Sequence, residues 1–523
     1  MKFLNRISLA YLTFPFILFA LGWLRLSIAI PVTLLTVWAI WKLFAHPPIH
    51  YSLFPTPKTT FYLLLITFLW LFFSGIGGYT FQNWDHHWRN AVFHDLIAYD
   101  FPVVYSAPEK GPIQMLVYYV GYFLPAAWVG KFLGWGAANF ALFLWTWLGV
   151  LLVVFHLAHK GEGTSPLRVL KWAFLLIFFS GLDSLGLLFF AKDYPTLFPS
   201  IQHLEIWSGN LQYSSFTTQL FWVFNQAVPA WLCVVMCVTL TLNEVKGKGL
   251  EHKLGDSSLT AKRFAQNDTI GQLIFIWSLC LFFAPLAALG LLPYLVIEFL
   301  KHTDFKSPFK NLSFDVLLAS GVIVLVSFLY FSSNTAAQER GLQPIALKDY
   351  LAFFLFEGGI LWLALAPLKW RDPRWAMTGL LLAVIPFIQL GSGRDFVMRA
   401  SIAPLFYLMM MTGEAIFQKT TPRLLLITCY LLLAPGSFTP LYEINRSIYR
   451  TYEYYFVLDP SQRAQSSGEV ITHLEQPGAP EYDHPGSLVA DKIQTMKFMD
   501  DKLSKNFIAN VRQSLFYKYL ASH

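Results

Sequence analysis

Twelve long apolar segments recur along this 523-residue chain, and they constrain its fold more than any other feature. They are 9–24, 26–41, 60–75, 137–156, 170–190, 218–242, 274–300, 314–331, 350–368, 376–390, 400–417 and 424–434. Only 13% of the residues are charged, against about 25% in ordinary soluble domains. Within a bilayer, a chain must satisfy its backbone hydrogen bonds internally. We therefore predict the all-α fold class, as a polytopic transmembrane bundle of about 12–13 spans.

Segment 274–300 is long enough for one kinked crossing or for a hairpin of two, and the loop charges distinguish these alternatives. With a hairpin, three later loops share one side and carry eight basic residues, namely Lys301, Lys306, Lys310, Lys369, Arg371, Arg374, Lys419 and Arg423. The other side carries four, namely Arg340, Lys348, Arg394 and Arg399. Basic residues concentrate in cytoplasmic loops, so the hairpin is favoured and the N-terminus is predicted to be cytoplasmic. The net charge of +7 then reflects topology, and no nucleic-acid partner is expected.

On this topology the polar stretches 77–136, 192–217, 332–348 and 391–399 lie outside the cytoplasm. We predict a membrane domain over 1–435 and a small extracytoplasmic C-terminal segment over 436–523. Segment 112–134 is apolar enough to cross, yet it contains Gln114, Pro125 and Lys131. A crossing there would move the lysine-rich loops to the other side, which favours an interfacial or re-entrant helix pair.

The stretch QNWDHHWRN contains the first candidate site. On a helix, Asp85 neighbours Arg89, which makes Asp85 either a partly desolvated base or half of an interfacial ion pair. His87 and His94 lie two turns apart, too far to chelate one ion as an i, i+4 pair does. We assign His87 and Arg89 to substrate binding and predict no metal site here.

A second group of polar residues surrounds the segment SGLDSLG. Asp183 lies inside a predicted span, where an ionisable group is costly and usually faces a cavity or a partner; a structural hydrogen bond is the alternative. Amides, hydroxyls and acids interleaved with aromatic residues then suit sugar rings, although an aromatic belt at the membrane interface explains part of the pattern. The remaining candidates for substrate binding are Asp193, Glu205, Gln212, Tyr213, Asn225 and Gln226.

In GSGRDFVMRASI, Arg394 and Arg399 follow glycines that allow close backbone approach to a ligand. Guanidinium groups match phosphate geometry with two hydrogen bonds. We predict that both arginines bind a lipid phosphate. The alternative is an Arg394–Asp395 ion pair with Arg399 snorkelling to the interface.

Together these features resemble the GT-C superfamily of integral-membrane glycosyltransferases, which includes protein O-mannosyltransferases and aminoarabinose transferases. In that family an acidic residue follows an early transmembrane helix, and Asp85 in QNWDHHWRN occupies the similar position. The stretch EKGPIQMLVYYVGYFLPAAWVGKFLG resembles the interfacial jaw helices of this family, and it ends in the KFLG of Lys131 to Gly134. The motifs QYSS, FWVFNQ and DFVMRAS also resemble bacterial multi-pass membrane proteins. The paired acids of the family are absent, so the resemblance leaves open whether Asp85 or Asp95 is the catalytic base.

The resemblance implies a polyprenyl-phosphate-linked sugar as donor and a glycan, lipid or protein acceptor, with inversion at the anomeric carbon. It places the active site on the extracytoplasmic face of the plasma (inner) membrane, in contact with membrane lipid. No cofactor is required by this reading, and dependence on a divalent metal stays open. The alternatives are a multi-pass transporter or flippase, a polysaccharide polymerase or ligase, and a non-catalytic scaffold.

Overall fold

The computed structural model describes residues 2–44, 56–105, 113–159, 166–191, 203–254, 259–302, 313–334, 340–391, 393–457 and 506–522. Its helices are α1 (Lys2–Trp23), α2 (Leu26–Phe44), α3 (Pro57–Phe72), α4 (Trp84–Ala98), α5 (Leu124–His159), α6 (Pro166–Phe178), α7 (Asp183–Gly186), α8 (Phe216–Leu254), α9 (Leu259–Phe283) and α10 (Pro285–His302). They continue with α11 (Phe314–Ser332), α12 (Leu347–Phe354), α13 (Ile360–Ala364), α14 (Ala366–Lys369), α15 (Pro373–Val384), α16 (Asp395–Ala400), α17 (Ile402–Phe417), α18 (Arg423–Gly436), α19 (Phe438–Tyr452) and α20 (Leu515–Tyr519).

The strands are short and form two small sheets. β1 (Val104–Tyr105), β2 (Gln114–Leu116) and β5 (Ile508–Asn510) pair antiparallel in the order β1-β2-β5. β3 (Arg340–Leu342) pairs antiparallel with β4 (Ile388–Leu390), with Gly341 opposite Gln389. Helix dominates the rest of the described residues, which confirms the predicted all-α polytopic bundle.

Eight helices within the described part of the chain are long and apolar enough to cross a membrane. Their ranges are Phe3–Trp23, Leu26–Leu43, Val120–His159, Leu167–Phe190, Phe216–Thr241, Phe314–Ser332, Asp395–Phe417 and Arg423–Val457. Three shorter apolar helices, Pro57–Phe72, Thr269–Phe283 and Pro373–Phe387, accompany them. The protein is therefore a multi-pass membrane protein, and the larger count of about 12–13 spans stays a prediction.

Segment 274–300 forms two helices, because α9 ends at Phe283 and α10 begins at Pro285. The indole of Trp277 on α9 donates to the carbonyl of Ala288 on α10 at 2.9 Å, and the two helices pack along each other. This is the hairpin that the loop charges favour.

Segment 112–134 differs from the predicted helix pair. Where the structure describes it, it begins with β2, continues through a 3-10 turn (Val120–Phe123), and then enters α5. Gly134, at φ 82° and ψ −179°, separates a first helical arm from the long remainder of α5. Phe132 and Leu133 at the end of that arm are highly exposed, as expected for side chains that meet lipid.

The predicted C-terminal segment 436–523 packs against the bundle wherever it is described. α19 contacts α8, α6 and α18. Residues 506–522 add β5 to the sheet and return to the α1–α2 turn, where Arg25 donates to the carbonyls of Ala521 (3.0 Å) and Lys518 (2.8 Å). Sequence composition alone does not reveal this docking.

Candidate functional site

A cavity of about 1020 Å³ lies at the end of the bundle where α4 begins, α9 turns into α10 and α11 ends. We call it the central cavity. Its polar wall includes Asp85, Arg89, Gln212, Arg394 and Arg399. Residues predicted from three separate stretches of sequence therefore meet in one space.

Helix α4 is fixed to α8 through one backbone carbonyl. Val223 has non-helical angles (φ −133°, ψ 33°), which leaves the Phe221 carbonyl free to accept from the Asn83 amide at 2.8 Å. The His86 ring also bonds this oxygen, at 3.0 Å. Burial, with Arg89 nearby, lowers the pKa of His86 to about 3, so its ring is neutral. These contacts set the position of the first turn of α4.

Asp85 and Arg89 occupy adjacent turns of α4 and both line the central cavity. Arg89 Nη2 donates to Asp85 Oδ2 at 2.9 Å, and the Asp85 side chain is 34% exposed while that of Arg89 is buried. Arg89 Nε also donates to Asn225 Oδ1 at 3.4 Å. Its Nη1 finds no hydrogen-bond partner in the described protein. A carboxylate held from behind by a buried guanidinium is thus presented to the cavity.

The second cationic group follows β4. Gly391 and Gly393 have left-handed φ values of 83° and 58°, so this short loop brings Arg394 and Arg399 to the cavity wall. Arg399 pairs with Asp395 at 2.5 Å and lies over the Tyr119 ring at 5.7 Å. The Arg394–Asp395 ion pair, which is the alternative to phosphate binding, does not form, because Asp395 lies one helical turn before Arg399 and pairs with it.

Arg394 has a different environment. Its Nη1 lies 3.5 Å from Gln212 Oε1, a long hydrogen bond to a neutral amide. Within the described residues it forms no ion pair, and partial burial lowers its pKa from the usual value. A half-buried guanidinium without a carboxylate partner is well suited to bind an anion.

The opposite wall of the central cavity is apolar. It is formed by residues of α9, α10 and α11, namely Leu281, Pro285, Leu286, Leu289, Phe328 and Phe331. Leu289 is 42% exposed and Phe328 is 63% exposed, so this wall continues onto the outer surface of the bundle.

Polar and aromatic residues from the stretch before α8 and from the first turns of α8 line the remaining wall. They include His203, Asn210 and Trp222 besides Gln212. The His203 ring packs on Trp222 with centroids 4.8 Å apart. Burial, followed by Arg446 and Arg394, lowers the pKa of His203 to about 3. Neutral donors and acceptors beside an indole face are suited to bind sugar hydroxyls.

Several predicted site residues lie away from the cavity. Asp95 is fully buried and accepts from the Tyr105 hydroxyl at 2.5 Å, so it does not replace Asp85 as a base in this space. Tyr213 donates to the Leu382 carbonyl at 2.7 Å, a structural contact. Gln226 is buried within α8, and Asn225 touches the site only through Arg89.

Asp183 and Glu205 are also buried behind the wall rather than in it. Glu205 connects to the cavity through Gln212, whose Nε2 donates to Glu205 Oε2 at 2.9 Å. Asp193 and the side chain of His87 lie outside the described residues. Among the residues that are described, no group of three or more His, Cys, Asp and Glu is arranged to hold a metal ion.

Sequence reasoning missed the part of the wall that comes from far along the chain. Phe507 stacks on Trp88 with centroids 5.4 Å apart and planes within 7°. Asn334 donates to the carbonyls of Val117 (2.9 Å) and Asn506 (2.8 Å). No local pattern predicts these contacts, because they arise from the pairing of β5 with β2.

A comparison of the chain with protein-family models finds no match, and comparisons with curated proteins and with solved structures find none either. The geometry of the central cavity therefore carries the functional argument.

Proposed function

We propose that this protein transfers a sugar from a polyprenyl-phosphate-linked donor to an acceptor hydroxyl on the extracytoplasmic face of the membrane. One observation carries the proposal: a carboxylate, an arginine without a carboxylate partner among the described residues, and an exposed apolar wall share one cavity. A polyprenyl chain suits the apolar wall, and its phosphate suits Arg394 and Arg399. The sugar then lies between the phosphate and Asp85.

In this mechanism Asp85 is the general base. It accepts the proton of the acceptor hydroxyl while that oxygen bonds to the anomeric carbon. The bond from this carbon to the phosphate oxygen breaks, and the electron pair leaves with the lipid phosphate, which Arg394 and Arg399 stabilise. Attack opposite the leaving group inverts the configuration. Arg89 orients the base by holding Asp85 Oδ2.

The test uses purified protein in liposomes with synthetic polyprenyl-phosphate sugars and a panel of glycan, lipid and peptide acceptors. Asp85→Asn keeps the shape of the side chain but removes the base, which typically contributes about 10²–10⁴-fold. We expect transfer to fall by that factor, with donor binding retained. Asp100→Asn is the matched control, because Asp100 lies just beyond α4, is exposed and does not line the cavity.

Full transfer by Asp85→Asn would exclude this assignment. If the wild type bound the sugar phosphate only after removal of its lipid chain, the proposed lipid-linked donor would be excluded, since the apolar wall would then have no role.

A second candidate function, a transporter, is favoured by one specific observation. The regular helix is interrupted after α6 and again between α12 and α13. The two interruptions are in contact, because Leu182 N donates to the Phe356 carbonyl at 2.9 Å. Broken helices that meet at buried ionisable groups are common at transporter sites. Net uptake of an unmodified anionic solute into proteoliposomes, in the absence of sugar transfer, would favour this candidate.

A further inference from the structure

The two helix breaks bring together two acidic residues that the proposed mechanism does not use. The chain is non-helical between the end of α6 and Asp183, and a π-helical turn (Leu355–Gly359) contains Glu357. A Cβ atom added to Gly181 would lie 2.5 Å from Glu357 Oε2. The absence of a side chain at Gly181 is therefore what permits this close approach.

Each carboxyl group has one satisfied oxygen and one that faces its neighbour. Asp183 Oδ2 accepts from the hydroxyls of Ser180 and Thr439, both at 3.0 Å. Glu357 Oε1 accepts from the Trp207 indole at 2.7 Å. Asp183 Oδ1 and Glu357 Oε2 receive no hydrogen bond from a donor in the described protein. The two carboxyl groups lie within hydrogen-bonding reach of each other.

Two buried carboxyl groups in contact need either a nearby positive charge or a bound proton. Both residues are almost completely buried, at 0% and 2% exposure, and no described lysine or arginine forms an ion pair with either. Two ionised carboxylates in contact repel, and low-dielectric burial increases that repulsion. A proton between them turns two facing acceptors into a donor and an acceptor, as in other adjoining carboxyl pairs.

We propose that Asp183 and Glu357 form a proton-binding site, which holds one shared proton at neutral pH and keeps the two helix breaks in contact. This inference is independent of the proposed sugar transfer, because it concerns other residues and its readouts do not depend on activity.

The charged and titratable neighbours lie on two elements, the stretch before α8 and helix α19. Glu205, in the stretch before α8, is buried, and burial raises its pKa to about 8, with Asp183 adding to the shift. His203, with Nδ1 4.0 Å from Glu205 Oε2, is neutral. On α19, Glu443 and Arg446 neutralise each other at 2.9 Å. No neighbour described here supplies the positive charge that would replace the proton.

The sign of the pH dependence follows from this arrangement. Carboxyl groups that hold protons more tightly in the folded state than in the unfolded chain stabilise the fold fully at low pH. That stability is lost as pH rises through the folded-state pKa, which for Glu205 is about 8. The Asp183–Glu357 pair contributes in the same direction, so resistance to thermal unfolding falls as pH rises.

The first experiment is infrared spectroscopy of the full-length protein in lipid at neutral pH. We expect the C=O stretch of protonated carboxyl groups in the wild type, and loss of one component in the double variant Asp183→Asn/Glu357→Gln. Glu205→Gln should remove a separate component. Glu453→Gln is the control, since Glu453 forms its own half-buried ion pair with Arg450 at 2.7 Å and contacts neither Asp183 nor Glu357. A spectrum unchanged by the double variant would overturn the proposal.

The second experiment keeps the proposal testable if the double variant does not fold. Glu357→Gln alone replaces the protonated acid with an isosteric neutral donor, so we expect it to fold. Its thermal stability should depend less on pH, between about pH 6 and pH 9, than that of the wild type. Replacing sodium by choline should change neither protein. Stability that requires sodium, in a wild type without the protonated-carboxyl signal, would show a metal cation in place of the proton and refute the inference.

Discussion

Arg394 is the residue on which anion binding in the central cavity depends most. Arg399 forms an ion pair with Asp395, and Arg89 forms one with Asp85. Arg394, by contrast, hydrogen-bonds only the neutral amide of Gln212 among the described residues. Its guanidinium is therefore free to form a charge-assisted pair with a phosphate.

We expect Arg394→Ala to weaken the binding of a polyprenyl phosphate by about 10- to 100-fold, because a hydrogen bond to a charged group contributes about 1.5–3 kcal/mol. Arg394→Lys should restore part of the affinity, since it keeps the charge but loses the planar fork. Binding is measured by titration calorimetry in detergent. Arg512→Ala, at an exposed arginine outside the cavity, should bind normally; equal losses in both variants would mean a nonspecific charge effect.

Part of the residue-scale site is predictable from the sequence. Asp85, Arg89, Arg394 and Arg399 are unusual charges beside apolar segments, and helical spacing alone predicts the Asp85–Arg89 contact. Glu357 also lies inside an apolar segment, 350–368, but its role depends on Asp183, which is far away in sequence and adjacent in space. Tyr213 and Asp95 are predicted as site residues but point away from the cavity. A polar residue in a polar stretch of sequence does not reveal the direction of its side chain.

At the scale of the element, the form of α5 depends on Gly134. The angles φ 82° and ψ −179° belong to a region that is populated almost only by glycine, and they separate the exposed arm from the long apolar helix. A Cβ at Gly134 would meet no atom within 4 Å. Any cost of a substitution there is therefore conformational and not steric.

We expect Gly134→Ala to destabilise the folded protein by about 1–3 kcal/mol, the typical cost of this backbone strain for a residue with a side chain. Gly136→Ala is a matched control two residues later, where the added Cβ also meets nothing and the backbone is helical. It should be neutral, or stabilising by about 0.5–1 kcal/mol. Thermal unfolding in detergent compares the two. Equal stability of the two variants would mean that the arm readjusts without strain.

Some helices and strands are predictable from the sequence, and others are not. Apolar length and loop charge predict the α9–α10 hairpin, because both are local properties. The strand β2 within 112–134 is not predicted, since its pairing partner β5 is distant and a three-residue strand has no periodicity to detect. The helix breaks before α7 and before α13 are visible only as small and polar residues within apolar runs.

At the scale of the whole molecule, residues 506–522 join elements that are otherwise separate. Phe516 on α20 is fully buried, with its ring 6.1 Å from Phe19 on α1 and 5.2 Å from Tyr330 on α11. Ser514 and Ser333 share a hydrogen bond of 2.7 Å beside it. The same segment places Asn506 and Phe507 in the wall of the central cavity.

Phe516→Ala should destabilise the protein by about 3–5 kcal/mol, because it leaves an unfilled space between these helices. It should also make the end of the chain a better substrate for carboxypeptidase. Tyr519→Ala, on the exposed side of the same short helix at 56% exposure, is the control and should change stability by less than about 0.5 kcal/mol. Unaltered digestion of Phe516→Ala would show that the segment stays docked without this anchor.

The pairing of β5 with β2 also sets an order of events during biosynthesis. Strand β2 emerges from the ribosome before most of the membrane helices exist, and it has to wait, with one edge unpaired, until β5 follows. Insertion of the bundle into the membrane and completion of the cavity are thus separate steps. A nascent chain that already contains Asp85, Arg394 and every long apolar helix in the described part of the chain still lacks Asn506 and Phe507, which complete the wall of the cavity.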